Sequence, residues 1–95
     1  MGFEWDEAKN AENYRKHNIR FEEAREIFSG PVLTWFDDRF DVGEIRETSL
    51  GMLGTSVVLS VAHTDRDGVT RLISARKATK MERRRYHGYL KSTLG

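Results

Sequence analysis

The sequence predicts an α+β domain in which helices cover one face of an antiparallel sheet. Apolar residues recur at helical spacing within residues 7–28, whereas residues 32–76 follow the period of two that is typical of strands. A closing helix is predicted at Thr79, because Thr79 and Glu82 form the S/T-x-x-E pattern of a capping box. The predicted order of elements is β-α-α-β-β-β-β-α.

The first third of the chain predicts a short edge strand followed by two helices. Residues 3–5 alternate between apolar and polar side chains, and Asp6 can cap a helix over residues 7–17. Asn18 can end that helix in the left-handed conformation, and a second helix is predicted over residues 21–28. The apolar face of the first helix is predicted to consist of Ala8, Ala11 and Tyr14.

Four further strands and a helix are predicted in the rest of the chain. The strands are predicted over residues 32–37, 44–50, 56–64 and 69–76. The connections are predicted at residues 38–43, 51–54 and 65–68. Since the connections are short, neighbouring strands are expected to pair as an antiparallel meander. The last helix is predicted over residues 79–90, with a frayed tail at residues 92–95.

Length and composition predict one domain over residues 1–95 in a reducing cytoplasm. The chain has 95 residues, 33% of them charged, and it contains no cysteine. Small secreted domains often depend on disulfides, so the lack of cysteine favours the cytosol. No apolar run has the length of a membrane span or the pattern of a signal peptide, so neither is expected.

Charge is divided unevenly along the chain and predicts a positive surface. Residues 1–48 hold twelve acidic and seven basic residues, whereas residues 49–95 hold three acidic and nine basic ones. Eight of these basic residues lie within residues 71–91, beside one acidic residue. This density suits a phosphate-bearing partner, although a basic run on a helix is also typical of a solvated face.

The spacing of chemically active residues predicts neither a metal site nor a cofactor. The three histidines form no H-x-x-x-H pair, and the chain has neither a phosphate-binding glycine loop nor a G-x-S-x-G motif. Cations, histidines and carboxylates remain. These groups suit metal-free RNA cleavage, in which the 2′-hydroxyl of the RNA is the nucleophile.

Five segments, taken in order, resemble the BrnT toxins of bacterial toxin–antitoxin pairs. They are residues 3–10 (FEWDEAKN), 13–19 (NYRKHNI), 21–24 (FEEA), 64–68 (TDRDG) and 71–86 (RLISARKATKMERRRY). The resemblance implies a RelE-like fold and a metal-independent endoribonuclease that cleaves mRNA and arrests translation. It also implies a BrnA-like antitoxin, generally in a 2:2 assembly, through which alone the toxin would contact promoter DNA. A non-catalytic RNA- or protein-binding module is the alternative.

Four residues are candidates for catalysis. Arg76 matches the family's sheet-end arginine and is predicted to stabilise the transition-state phosphate, from the strand face that it would share with Leu72 and Ser74. A structural salt bridge is its alternative role. Arg46 is a second phosphate contact or an ordinary exposed strand residue. His17 is a proton-transfer group or a partner of the helix dipole, and His63 is a core histidine or, less favoured, the general base.

Six further residues are candidates for RNA binding. The cations among them surround the strand–helix junction, and the aromatic residues could stack on a base or contact a phosphate. Packing in the core is the alternative for both aromatic residues, and exposure on a solvated helix face is the alternative for Arg83. The candidates are Arg71, Lys77, Lys80, Arg83, Tyr86 and Trp5.

Overall fold

The computed structural model describes residues 2–41 and 43–94, with the backbone alone at residues 38–41 and 94. The class is α+β, as predicted. The elements are β1 (Gly2–Glu4), α1 (Glu7–His17), α2 (Phe21–Ala24), a 3₁₀ helix (Arg25–Ser29), β2 (Val32–Asp41), β3 (Glu44–Leu53), β4 (Val57–Arg66), β5 (Val69–Lys77) and α3 (Lys80–Leu94). None of the helices in the described residues has the length and apolar character that crossing a bilayer requires.

The five strands form one mixed sheet in the order β1-β5-β4-β3-β2. Strands β2 to β5 pair antiparallel with their sequence neighbours, but β1 pairs parallel with β5. The prediction of a wholly antiparallel sheet is therefore wrong. Short connections enforce antiparallel pairing only between consecutive strands, whereas α1, α2, the 3₁₀ helix and three strands lie between β1 and β5 in the sequence.

Helices cover both faces of the sheet, so the prediction that they pack on one face is wrong. The helices before β2 pack on the first face, where Phe21 and Ile27 meet Leu59 and Leu72. Helix α3 packs on the second face, where Tyr86 belongs to a separate core cluster with Leu50 and Val58. Strand β4 is apolar on both sides and needs cover on both, because Val58 lies between Val57 and Leu59.

A β-bulge at Ile73 changes which face each residue of β5 occupies. His63 pairs with Leu72, whereas Ala62 pairs with Ser74, so Ile73 is one extra residue on β5. Leu72 therefore lies in the first core, while Ser74 and Arg76 line the second face. The predicted common face of Leu72 and Arg76 is wrong because a bulge interrupts the period of two.

Helix α1 buries two asparagines, and the prediction of its apolar face is wrong. Ala8, Ala11 and Tyr14 are exposed, whereas Asn10 and Asn13 are buried. The Asn13 amide donates to Ala75 C=O and accepts from Ala75 N–H, both at 2.9 Å, and also donates to Ile19 C=O at 2.9 Å. Asn13 thus satisfies backbone groups on the edge of β5 that faces away from β4, beyond Arg71, where the pairing with β1 ends.

The predicted helix caps are confirmed. The Asp6 carboxylate accepts a hydrogen bond from Ala8 N–H, and Asn18 ends α1 with φ of 58°. At α3, the Glu82 carboxylate accepts from Thr79 N–H at 2.8 Å, and the Thr79 hydroxyl accepts from Glu82 N–H at 3.2 Å. These are the reciprocal bonds of a capping box.

Several predicted boundaries differ from the structure. The second helix divides after Ala24 into α2 and the 3₁₀ helix, and α3 continues to Leu94 instead of fraying. The backbone of β2 continues to Asp41, through part of the predicted connection; Val42 lies outside the described residues. Strand β3 includes Gly51 and ends at Leu53. A Cβ at Gly51 would lie 2.7 Å from Ile27 Cβ, so this glycine allows the 3₁₀ helix to approach the sheet.

Candidate active site

A groove of about 270 Å³ lies on the second face of the sheet, beside the start of α3. Its lining residues come from four strands and from the first turn of the helix. They are Trp35, Asp37, Arg46, Thr48, Ser60, Ala62, Ser74, Arg76 and Glu82. Two of the four predicted catalytic residues, Arg46 and Arg76, are thus in one hollow, although 30 residues separate them in the sequence.

Arg76 reaches the groove from the end of β5 and binds Glu82 with two hydrogen bonds. Its two terminal nitrogens donate to the two carboxylate oxygens at 2.8 and 3.0 Å. These hydrogen bonds are the main reason that the pKa of Glu82 lies below 4.5 and the pKa of Arg76 lies above its ordinary value. The Arg76 side chain remains 43% exposed, so this ion pair lies at the wall of the groove and not beneath the helix.

Glu82→Gln is expected to lower the free energy of unfolding by about 0.5–1 kcal/mol at pH 7, because an exposed arginine limits the strength of the pair. A carboxyl with a lowered pKa in the folded state stabilises the protein when it is ionised. That contribution is present above pH 4.5 and is lost as the pH falls through the folded-state pKa. The difference between the two proteins should therefore shrink in denaturant titrations below pH 4.5. A difference that grows toward acid would contradict this assignment.

Arg46 lies on the neighbouring part of the groove and is held more loosely. Its Nε lies 3.7 Å from the Asp37 carboxylate, and the Arg46 side chain is 20% exposed. The same Nε is buried and has no hydrogen-bond partner among the described residues. A buried N–H without an acceptor is costly, so Arg46 Nε keeps an unused capacity to donate a hydrogen bond.

Trp35 and three hydroxyl groups complete the groove, and sequence reasoning missed them. Trp35 forms part of the wall, and the Arg85 guanidinium lies 4.7 Å from the centre of its ring. The hydroxyls belong to Thr48, Ser60 and Ser74. The pairing of Trp35 with Thr48 across β2 and β3 is the signal that could have placed the tryptophan, but it depends on knowing the register.

His17 lies outside this groove, in an adjoining hollow at the end of α1. That hollow is lined by Lys9, Lys16 and His17 together with Ile73 and Ser74. Among the residues that the structure describes, Ser74 is the one that lines both hollows. The structure therefore places His17 outside the groove.

His63 lies on the opposite face of the sheet from the groove and is 2% exposed. Its ring packs edge-on against Phe28, and its Nε2 lies 2.7 Å from Ser49 Oγ. Burial lowers the pKa of His63, although the charge of Asp65 opposes this effect. Its placement contradicts a role as general base in the groove and agrees with the alternative of a core histidine.

Two carboxyl groups adjoin His63. Hydrogen bonding to Asp65, together with burial, raises the pKa of Glu47 to about 7. Burial alone would raise the pKa of Asp65, but hydrogen bonds from Glu47 and Thr70 lower it. Of these two side chains, Glu47 is therefore the one that keeps a proton to the higher pH.

The predicted RNA-binding cations divide between two ends of β5. Arg71 lies at the far end, where it donates to the Glu4 carboxylate at 2.9 Å and lines a separate hollow. Lys77, Lys80 and Arg83 are exposed around the strand–helix junction, and Arg83 donates to Ala78 C=O at 3.1 Å. Lys77 and Arg83 line a further hollow with Val58 and Ala78, and none of these cations lines the groove itself.

The two predicted RNA-binding aromatic residues contribute to packing. Tyr86 is 1% exposed, and its hydroxyl donates to Pro31 C=O at 2.7 Å, which contradicts a contact with RNA. Trp5 is half-buried against the first core, with its ring 6.0 Å from that of Phe21, and its indole N–H donates to Glu7. Both positions agree with the core alternative.

Comparison with known proteins identifies a family and a solved structure of similar fold. A family model described as "Ribonuclease toxin, BrnT, of type II toxin-antitoxin system" matches residues 5–82. The crystal structure of the Brucella abortus ribonuclease toxin BrnT superimposes with a TM-score of 0.62 at 22% identity, over 84% of this chain and 99% of that one. None of the curated protein sequences matches the chain. Because the family model spans most of the sequence, the chain belongs to the BrnT family of ribonuclease toxins of type II toxin–antitoxin systems.

Proposed function

We propose that the chain is a metal-independent endoribonuclease that cleaves mRNA in the groove beside α3 and thereby arrests translation. The observation that supports this proposal is the meeting of Arg46, Arg76 and Trp35 in one hollow. Guanidinium groups bind phosphate through fork-shaped hydrogen bonds, and an aromatic ring can stack on an unpaired base. Such a hollow fits a single RNA strand better than a small apolar ligand.

The proposed reaction uses a nucleophile that the RNA supplies. The 2′-hydroxyl oxygen attacks the adjacent phosphorus, the bond from phosphorus to the 5′-oxygen breaks, and the products are a 2′,3′-cyclic phosphate and a 5′-hydroxyl. Arg76, with Arg46, stabilises the negative charge that develops on the phosphorane oxygens. His17, whose hollow shares Ser74 with the groove, is the proposed proton-transfer group: it would take the proton of the 2′-hydroxyl and give one to the leaving 5′-oxygen.

Binding of RNA in this groove requires exchange of ion-pair partners. Both arginines face carboxylates in the free protein, Arg76 with Glu82 and Arg46 with Asp37. A phosphate would replace the Glu82 carboxylate on Arg76 and would supply an oxygen to the unsatisfied Nε of Arg46. The remaining cations near the junction, Lys77, Lys80 and Arg83, would contact flanking phosphates. Arg71 would act only on an RNA long enough to reach the far end of β5.

The remaining parts of the proposal concern fold type, partners and location. We assign residues 1–95 to one toxin domain of RelE-like type that acts in the cytoplasm. Its inhibitor would be a BrnA-like antitoxin in a 2:2 assembly, and promoter DNA would be contacted only through that antitoxin. Membership in a type II toxin family supports a protein antitoxin. Two observations would test this partner: the product of the adjacent reading frame should rescue growth when it is expressed with the toxin, and it should co-purify with the toxin.

Purified protein incubated with mRNA in EDTA is the direct test of the proposed activity. Cleavage should continue without divalent ions, and the new ends should carry 5′-hydroxyls and cyclic phosphates. A matched RNA with 2′-deoxyribose at the mapped cleavage position should remain intact, because its nucleophile is missing. Intact ribose RNA in EDTA, or 5′-phosphate ends, would contradict the proposed mechanism.

A non-catalytic RNA- or protein-binding module is the second candidate. The observation that favours it is the pairing of both groove arginines with carboxylates, in a hollow that no histidine of the described chain lines. This candidate predicts salt-sensitive binding, unchanged RNA length and no growth arrest on expression. The EDTA experiment therefore separates the two candidates, provided that RNA binding is measured on the same preparation.

A further inference from the structure

A cluster of three metal-binding residue types lies on the face of the sheet opposite the groove. Glu47 and His63 are paired directly across β3 and β4, and Asp65 is two residues further along β4. One ligand atom of each residue lies within 4.8 Å of those of the other two. No sequence motif predicts the cluster, because its members come from two strands and meet only through the register.

His63 has the orientation of a metal ligand. Its side chain is 3% exposed, and its Nδ1 lies 3.1 Å from an Asp65 oxygen yet makes no hydrogen bond of acceptable geometry. The other nitrogen, Nε2, lies 2.7 Å from Ser49 Oγ, which is itself 2.7 Å from Thr34 Oγ1. If Nε2–H donates to Ser49 and Ser49 donates to Thr34, the Nδ1 lone pair faces the two acidic side chains.

The surroundings also orient the acidic ligands and leave a route for an ion. The Thr70 hydroxyl donates to one Asp65 oxygen at 2.6 Å and leaves the other oxygen toward His63. Hydrogen bonds of this kind from outside the ligand set are typical of metal sites. The Asp65 side chain is 42% exposed, so an ion can enter from solvent on this side.

The donor set favours Zn²⁺ among common ions. One imidazole nitrogen and two carboxylate oxygens are ordinary zinc ligands, whereas Mg²⁺ and Ca²⁺ prefer oxygen alone. With metal–ligand distances of about 2.0–2.2 Å, neighbouring ligands of a tetrahedral ion lie about 3.3–3.5 Å apart. The 3.1 Å between His63 and Asp65 is close to that spacing, so small side-chain rotations would complete the site.

We propose that Glu47, His63 and Asp65 form a Zn²⁺ site that ties β3 to β4, with water as the fourth ligand. The site is separate from the groove because these residues lie on the other face of the sheet. The inference does not depend on ribonuclease activity. Its test uses binding and unfolding measurements, so the failure of either proposal can be recognised independently of the other.

The test is a calorimetric titration of the EDTA-stripped full chain with Zn²⁺, together with thermal unfolding of the chain with and without the ion. We expect one ion per chain, a rise in the unfolding temperature, and visible absorption when Co²⁺ is used in place of zinc. Glu47→Gln and Asp65→Asn should each weaken binding at least tenfold, and Thr70→Val should weaken it by about 10–100-fold. Glu44→Gln is the matched control, because Glu44 is on the same strand but pairs with Arg66. It should bind zinc as the wild type does.

Two results would overturn the proposal. One is the absence of saturable one-to-one binding by the wild-type chain. The other is unchanged affinity in both Glu47→Gln and Asp65→Asn, which would place the ion elsewhere on the surface. Both substitutions keep side-chain size, and thermal unfolding checks each variant. If one of the three variants Glu47→Gln, Asp65→Asn and Thr70→Val does not fold, zinc binding by the other two decides the question.

Discussion

Replacing Arg76 with alanine is expected to slow RNA cleavage by about 10²–10³-fold, the usual cost of removing one stabiliser of a developing negative charge. Of the two arginines in the groove, Arg76 has the more exposed side chain, and it can exchange Glu82 for a phosphate. The rate of cleavage should be measured under single-turnover conditions with saturating protein, so that weaker RNA binding does not obscure the chemical step. The defect should therefore persist at saturation.

Arg15→Ala is the matched control for this prediction. Arg15 also forms an ion pair, with Glu12, but it lies on the exposed surface of α1. Its loss removes the same charge from the protein and should leave cleavage unchanged. Arg76→Lys tests geometry, because lysine keeps the charge but cannot make the fork-shaped contact. Full activity in Arg76→Ala, with folding verified, would exclude this arginine from the mechanism.

Replacing Asn13 with alanine is expected to lower the free energy of unfolding by about 2–5 kcal/mol, the largest stability effect that we predict. Three hydrogen bonds would be lost, and the backbone groups of Ala75 and the carbonyl of Ile19 would stay buried without partners. Each unsatisfied buried group costs about 1–3 kcal/mol. A domain of ordinary stability has only about 5–15 kcal/mol in total, so the variant would be close to unfolding.

Asn13→Asp separates hydrogen bonding from packing, since aspartate has nearly the same shape. A carboxylate could still accept from Ala75 N–H, but it cannot donate to the two carbonyl groups and would face them with negative charge. Denaturant titration should therefore show a marked loss in this variant as well. Glu12→Gln, one residue earlier and exposed, should unfold at nearly the wild-type midpoint. Wild-type stability in Asn13→Asp would show that the amide is dispensable.

Local features of the fold could be predicted from the sequence, and long-range ones could not. The caps at Asp6, Asn18 and Thr79 depend on a few adjacent residues, and the structure confirms them. The parallel pairing of β1 and the burial of Asn13 depend on residues more than 60 positions away. Helical periodicity favoured the alanine face of α1, because it could not register the backbone groups of β5 that asparagine satisfies.

The residues of the candidate site also divide into those that the sequence could predict and those that it could not. Charge density and family resemblance indicated Arg76, and a position on a predicted strand made Arg46 a candidate; the sheet brings both into one groove. Periodicity placed His63 with the core face, where it lies, but did not reveal the acidic neighbours that β3 and β4 bring to it. Trp35 was missed because an aromatic residue in a strand predicts burial equally well. Only the register of β2 on β3 places it beside the cations.

Odd or even residue count decides which side of a sheet a strand residue occupies, and Ile73 alters that count within β5. A related chain with one residue fewer between Leu72 and Arg76 would keep the arginine on the second face without a bulge, whereas a chain of the same length with a regular strand would direct it toward the helices on the first face. A single gap in an alignment at this segment would therefore indicate whether the strand needs a bulge to hold the cation in the groove. For comparing relatives, the length of this segment is as informative as the identity of its last residue.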